Sequence, residues 1–163
     1  MGIPSIAWYP GPFISFGLFS LILSRTNCIV LNTFHGRVTQ VQTEGSLSLV
    51  DVQVGDISFT SIVIETPETA PYLVEGGEII VMFKETEVSV SRPVRTHVSL
   101  QNKLPCRVVR VRKGALLATV TLQHPIGTIE SVITVRAVDQ LGLEPGIEVL
   151  AMIKTNEIML SAE

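Results

Sequence analysis

The chain has 163 residues, 46% hydrophobic, 17% charged and 6% aromatic, which excludes a disordered tail and leaves room for one ordinary domain or two small ones. A formal net charge of -3 argues against a surface that neutralises nucleic-acid phosphates. Two cysteines, Cys28 and Cys106, with no CxxC and no Cys/His cluster, argue against a zinc site or a disulfide scaffold.

Residues 1–26 read as an apolar extension, with no charge from Met1 to Ser24. The run Phe13 to Leu23 is about half the roughly 20 residues that a membrane helix needs, and Pro4, Pro10 and Pro12 interrupt anything longer. The first positive charge, Arg25, follows the run, opposite to a secretory signal. Three readings stay open: a start placed too far upstream, a hydrophobic arm packing on a partner subunit, and a weak membrane anchor. Membrane contact is expected only if residues 1–24 belong to the natural protein.

Beyond the extension the pattern is β-structure, and it occurs twice. Arg37 to Val41 alternates polar and apolar, the period-two signal of a half-buried strand. Ser48 to Val54, Ser58 to Ile64, Glu78 to Phe83 and Val88 to Val90 follow as four further strands, with space for a helical turn over Pro67 to Leu73. An offset of 70 residues brings each onto a second copy: Arg107 to Val111, Ala118 to Leu122, Ile129 to Val135, Glu148 to Ile153 and Ile158 to Leu160, with a turn of helix at Arg136 to Leu141. Asn32 meets Asn102, Ser61 meets Ser131, Gly76 meets Gly146 and Lys84 meets Lys154 with no gap, so the chain is a tandem duplication. The fold expected is all-β: two tandem five-stranded barrels of the oligonucleotide/oligosaccharide-binding type, each with one short helix, over residues 27–92 and 96–163.

The second unit opens SLQNKL (Ser99 to Leu104), continues RKGALLATV and SVIT, and ends LGLEPGIEVLAMIKTNEIML (Leu141 to Leu160). This resembles the molybdenum-binding Mop or TOBE domain, found in molbindins and in the C-terminal half of the molybdate-responsive regulator. The resemblance spans both units and implies a tandem di-Mop protein that binds molybdate or tungstate in the cytoplasm as a homo-oligomer, dimer or trimer, with no other cofactor.

Carried over residue by residue, the resemblance puts Ser99 at the family's ligand-contacting serine and Gln101 at its arginine, which removes a charge. Asn102 stands at its asparagine, Thr134 at its threonine and Lys154 at its loop lysine. Thr155 and Asn156 replace an Ala-Ser pair and keep side-chain donors. In the first unit only Asn32 and Lys84 survive, Ile29 and Leu31 replacing the serine and arginine. Glu85 follows Lys84, and a carboxylate beside a dianion costs affinity. The chemistry agrees with the resemblance, because molybdate carries no proton and its pocket must offer donors only.

Other readings are weaker. His35, His97 and His124 have no metal-ligand spacing and are expected at the surface or in loops. Cys28 and Cys106 are expected as small buried hydrophobes. No nucleophile elbow, phosphate loop or dinucleotide fingerprint is present, so no catalytic residue is expected. Trp8, Tyr9 and Tyr72 lie outside the strands, so no stacking platform for nucleic acid is expected. Two functions remain: storage or buffering of the oxyanion without catalysis, and a sensing module that acts through a transporter or transcription-factor partner.

Overall fold

The computed structural model of the chain describes residues 31–93 and 97–162. The apolar extension, with Cys28 and Ile29, lies outside the described residues. The described chain runs β1 (Leu31–Glu44), β2 (Leu47–Val54), β3 (Ile57–Val63), β4 (Glu78–Lys84), β5 (Ser89–Ser91), β6 (Asn102–Lys113), β7 (Leu117–His124), β8 (Gly127–Thr134), α1 (Val135–Leu141), β9 (Glu148–Ile153) and β10 (Met159–Ser161). One-turn 3-10 helices at Glu85–Glu87 and Thr155–Glu157 precede β5 and β10. All ten strands fall where the alternation predicts them.

The first strand of each unit serves two partners. Leu31 to Arg37 pairs with β4, and Arg37 to Glu44 pairs with β2. The register shifts between Val38 and Gln40, and again at the equivalent place between Val108 and Arg110 in β6. Such a bulge bends one strand enough to cross from one partner to the next, which is how a short sheet curls into a barrel. The return into β4 is a turn in which the Gly76 N–H bonds the Val38 carbonyl at 2.7 Å, repeated by Gly146 onto Val108 at 2.8 Å. Gly76 and Gly146 take φ of 83° and 93°, a region that disfavours any side chain.

The fifth strands depart from the expectation that each barrel closes on itself. The sheets are ordered β10-β4-β1-β2-β3 and β5-β9-β6-β7-β8, so the two units exchange their last strands. Met159, Leu160 and Ser161 pair with Met82, Val81 and Ile80, while Ser89, Val90 and Ser91 pair with Met152, Ala151 and Leu150. Each barrel is therefore built from four strands of its own unit and one of the other. The duplication explains the exchange. Two equal sequences accept each other's fifth strand as readily as their own, and the crossing buries Val88 and Ile158 in one continuous core.

The helices also differ from expectation. α1 forms in the second unit, with the Thr134 hydroxyl accepting from the Ala137 N–H at 3.1 Å and Gly142 closing the C-terminus in the left-handed region. In the first unit the chain makes a single turn, the Ala70 N–H bonding the Thr66 carbonyl, and no α-helix follows. Pro71 is the reason, since it has no N–H for the next helical bond and its ring meets the preceding turn.

Candidate functional site

The seam between the units is fastened by bonds that recur under the 70-residue offset. The Asn102 side chain accepts from the Thr60 N–H at 2.8 Å and donates to the Thr60 carbonyl at 2.9 Å and to the Ile153 carbonyl at 3.3 Å. The Asn32 side chain accepts from the Glu130 N–H at 2.8 Å and donates to the Glu130 carbonyl at 3.0 Å. Each amide thus reads the outer edge of β3 or β8 as another strand would, and caps backbone groups that an edge leaves open. The Ser61 and Ser131 hydroxyls add bonds of 2.8 and 2.7 Å to the carbonyls of Ile158 and Val88 across the seam.

These bonds place the sequence-predicted donors. Asn32 and Asn102 are 4% and 2% exposed and turned into the other unit. The resemblance puts both residues at a ligand; within this chain each side-chain amide pairs with both backbone groups of one residue of the other unit. Lys154 follows β9 and leads into the turn Thr155–Glu157, which packs on β3 of the other unit. Lys154 and Asn156 are exposed and Thr155 half-buried. Asn102 stands opposite Ile153, so Gln101 and Lys154 continue the same end of the β6–β9 pair, with exposed Ser99 just before. Ser99, Gln101, Lys154, Thr155 and Asn156 therefore share one end of the second sheet.

Thr134 does not join them. It caps α1 opposite Leu117, at the end of β8 beside Lys113, whereas Gln101 leads into the other end of β6. Within one chain the carried-over threonine is separated from the lysine turn by the length of β6. Lys84 occupies the equivalent of Lys154, exposed and opposite Leu31. What sequence reasoning missed is the other wall of each turn, Thr60 facing the Lys154 turn and Glu130 facing the Lys84 turn. The repeat had matched Ser61 with Ser131, next to both, but strand exchange is not written in any local pattern.

The remaining titratable groups do not form a second centre. Cys106 is buried, and burial pushes its thiol up to about 11, so the nucleophilic thiolate is suppressed. A cavity of about 580 Å³ lies beside Cys106, lined also by Pro93, Arg107, Gln123 and Glu148, away from the lysine turns. His124 is buried rather than exposed, a correction: its Nδ1 accepts from the Ile126 N–H at 3.2 Å in the β7–β8 hairpin, and burial lowers its pKa. Among the described residues no three His, Cys, Asp or Glu side chains group in a way that could hold a metal ion. Among them, too, no helix is long and apolar enough to cross a membrane.

Two strand-exchanged barrels, each ending in a lysine-led turn against the other, define the class of module. The chain belongs to the TOBE domain family, whose model matches residues 30–90 and 99–160. It is similar to the molybdenum-pterin-binding protein MopA of Rhodobacter capsulatus, 37% identical over 91 residues, which are 55% of this chain and 33% of that protein. The chain thus spans about a third of MopA. It is 36% identical to molybdenum-pterin-binding protein 1 of Clostridium pasteurianum over 66 residues, 40% of this chain and 97% of that protein. Among solved structures it is similar to the cytoplasmic molybdate-binding protein ModG with molybdate bound, at 28% identity and a TM-score of 0.75, covering 81% of this chain and 96% of that one.

Proposed function

We propose that the chain binds molybdate or tungstate for intracellular storage, buffering or homeostasis, without catalysis, and that the donors are Ser99, Gln101, Lys154, Thr155 and Asn156. The observation that carries this reading is the Lys154 turn: one exposed cation followed by two neutral donors, on a fold that matches the whole length of ModG. A dianion held mainly by neutral dipoles and one ammonium suits that set. Thr134, placed at the opposite end of β6, reaches such a site only from a second copy of the chain. That copy is the expected partner, in a cytoplasmic homo-oligomer. The exposed apolar residues Ile64 and Leu116, each 80% accessible, with Leu117 next to Leu116 in sequence and Leu47 at the start of the strand paired with β3, offer it a surface. A sensing module acting through a partner chain is the second reading: the match covers only a third of the longer MopA, so units of this kind also occur within larger chains.

Thermal unfolding with molybdate, tungstate and sulfate titrated in parallel tests the proposal. A ligand at 100 times its Kd stabilises the native state by about 2.7 kcal/mol. A rise in Tm with molybdate or tungstate but not sulfate, largely removed by Lys154→Ala, is the expected result. A folded protein that responds to none of the three refutes it. Light scattering with and without ligand reads the oligomer.

A further inference from the structure

The two lysine turns occupy equivalent places but offer opposite chemistry. Where the second unit has Thr155, the first has Glu85, 8% exposed, on a turn that packs against β8. Three bonds fix that contact: one from Ser131 to the carbonyl of Val88, and two between Asn32 and the backbone groups of Glu130. The facing residue differs as well, Glu130 standing where the other seam has Thr60. Oε2 of Glu85 and Oε2 of Glu130 are both buried and accept no hydrogen bond from any described residue. Oε1 of Glu130 accepts from the Thr121 hydroxyl at 2.8 Å.

The Lys154 seam has an acid too, but placed differently. Asp51 on β2 accepts from the Thr60 hydroxyl at 2.6 Å and is half-buried, so water reaches it. Glu157 closes that turn and accepts from the Asn156 amide at 2.7 Å. At the Lys84 seam the charged groups are Lys84, Glu85, Glu87 and Glu130, three carboxylates to one ammonium.

We infer that the oxyanion occupies the Lys154 turn and is barred from the Lys84 turn by the buried carboxylate of Glu85, which makes Glu85 the residue that sets how many oxyanions one chain holds. The inference rests on the oxyanion reading above. A buried carboxylate without a donor repels any further negative charge, and the dianion would have to lose its own hydration to approach it. Threonine at the same position presents a hydroxyl that can donate.

Equilibrium dialysis of the full chain against sodium molybdate, with bound molybdenum counted by mass spectrometry, tests the count. Wild type is expected to hold one equivalent at the lysine turns, and Glu85→Thr two. Lys84→Ala placed on Glu85→Thr should return the count to one. Glu85→Gln, nearly isosteric, guards against a misfolded threonine variant and should melt above wild type because a buried charge is gone. Two equivalents in wild type, or one in both folded Glu85 variants, would overturn the inference while leaving the oxyanion reading intact. No molybdenum in any variant would remove both.

Discussion

Phe34, Phe59 and Phe83 fill the interior of the first barrel, and Leu104, Ile129 and Ile153 stand at the equivalent places in the second. The three rings pack with centroids 5.9 to 6.2 Å apart, two pairs stacked and one tilted. The aliphatic trio is fully buried, as are Phe59 and Phe83 within 1%, while Phe34 keeps 7% exposure. The strand order, the bulges, the glycine turn at Gly76 and Gly146 and the asparagine caps are nevertheless alike in both halves. The difference teaches that the architecture rests on backbone-directed groups at fixed places. The core asks only for apolar volume on the inward face, in whatever shapes fill it.

The largest effect should come from emptying that volume. Phe59→Ala is expected to cost about 3–5 kcal/mol and Ile129→Ala about 2–5 kcal/mol in urea unfolding. Because each barrel holds a strand of the other, both variants should unfold in one transition. Two separate transitions, with Phe59→Ala moving only one of them, would mean that the exchange does not couple the halves. Next comes the seam. Asn102 makes three bonds to backbone where Asn32 makes two, so Asn102→Ala should be the costlier. An orphaned buried polar group costs about 1–3 kcal/mol, which sets the scale for each. Equal losses would show that the Ile153 contact adds nothing.

Much of this was readable in the chain, for reasons that differ by feature. All ten strands were legible because inward residues such as Val50, Val52 and Val54 alternate with outward ones, and a period of two survives any tertiary arrangement. The duplication was legible because no insertion breaks its register. The stretch Pro67 to Leu73 has the length for a helix in the first unit, but Pro71 within it stops the chain after one turn. The exchange of β5 and β10 could not be read, since a strand that fits either of two like partners carries no mark of its choice. At the candidate site, the Lys154 turn was found by resemblance and repeat together. The resemblance alone puts the asparagines at the ligand, and the packed seam shows their side chains bonded to the backbone of Thr60 and Glu130.

A smaller effect separates the halves by pH. His124 stands where the first unit has Val54, both buried. Burial holds the folded-state pKa of His124 below its ordinary 6.5, so the native state keeps the neutral ring while the unfolded chain takes up a proton first. The unfolded state then binds more protons, and stability falls as pH drops from about 6.5 towards the lower folded-state pKa. Above 6.5 the contribution is fully present. His124→Val copies the first unit and should remove this part of the acid slope. An unchanged slope between pH 7 and 5 would assign it to other groups.

The smallest effect lies at the surface, where the repeat places the same ion pair twice. Arg37 bonds Glu78 directly, and Arg107 approaches Glu148 at 3.5 Å, with every side chain of the four more than half exposed. Their equal placement invites the idea that the pairs hold β1 to β4 and β6 to β9. The dielectric argues otherwise: in contact with water such pairs are screened, and ordering two long side chains offsets what attraction remains, leaving about 0–1 kcal/mol. Glu78→Gln and Glu148→Gln should therefore shift the urea midpoint only slightly, the first more than the second because its contact is closer, and 1 M salt should erase the difference. A loss near that of Asn102→Ala for either would mean that the strand pairs depend on their surface charges. The β1–β4 register would then no longer be explained by the buried alternation of Asn32, Phe34 and Gly36 against Phe83, Val81 and Ile79 alone.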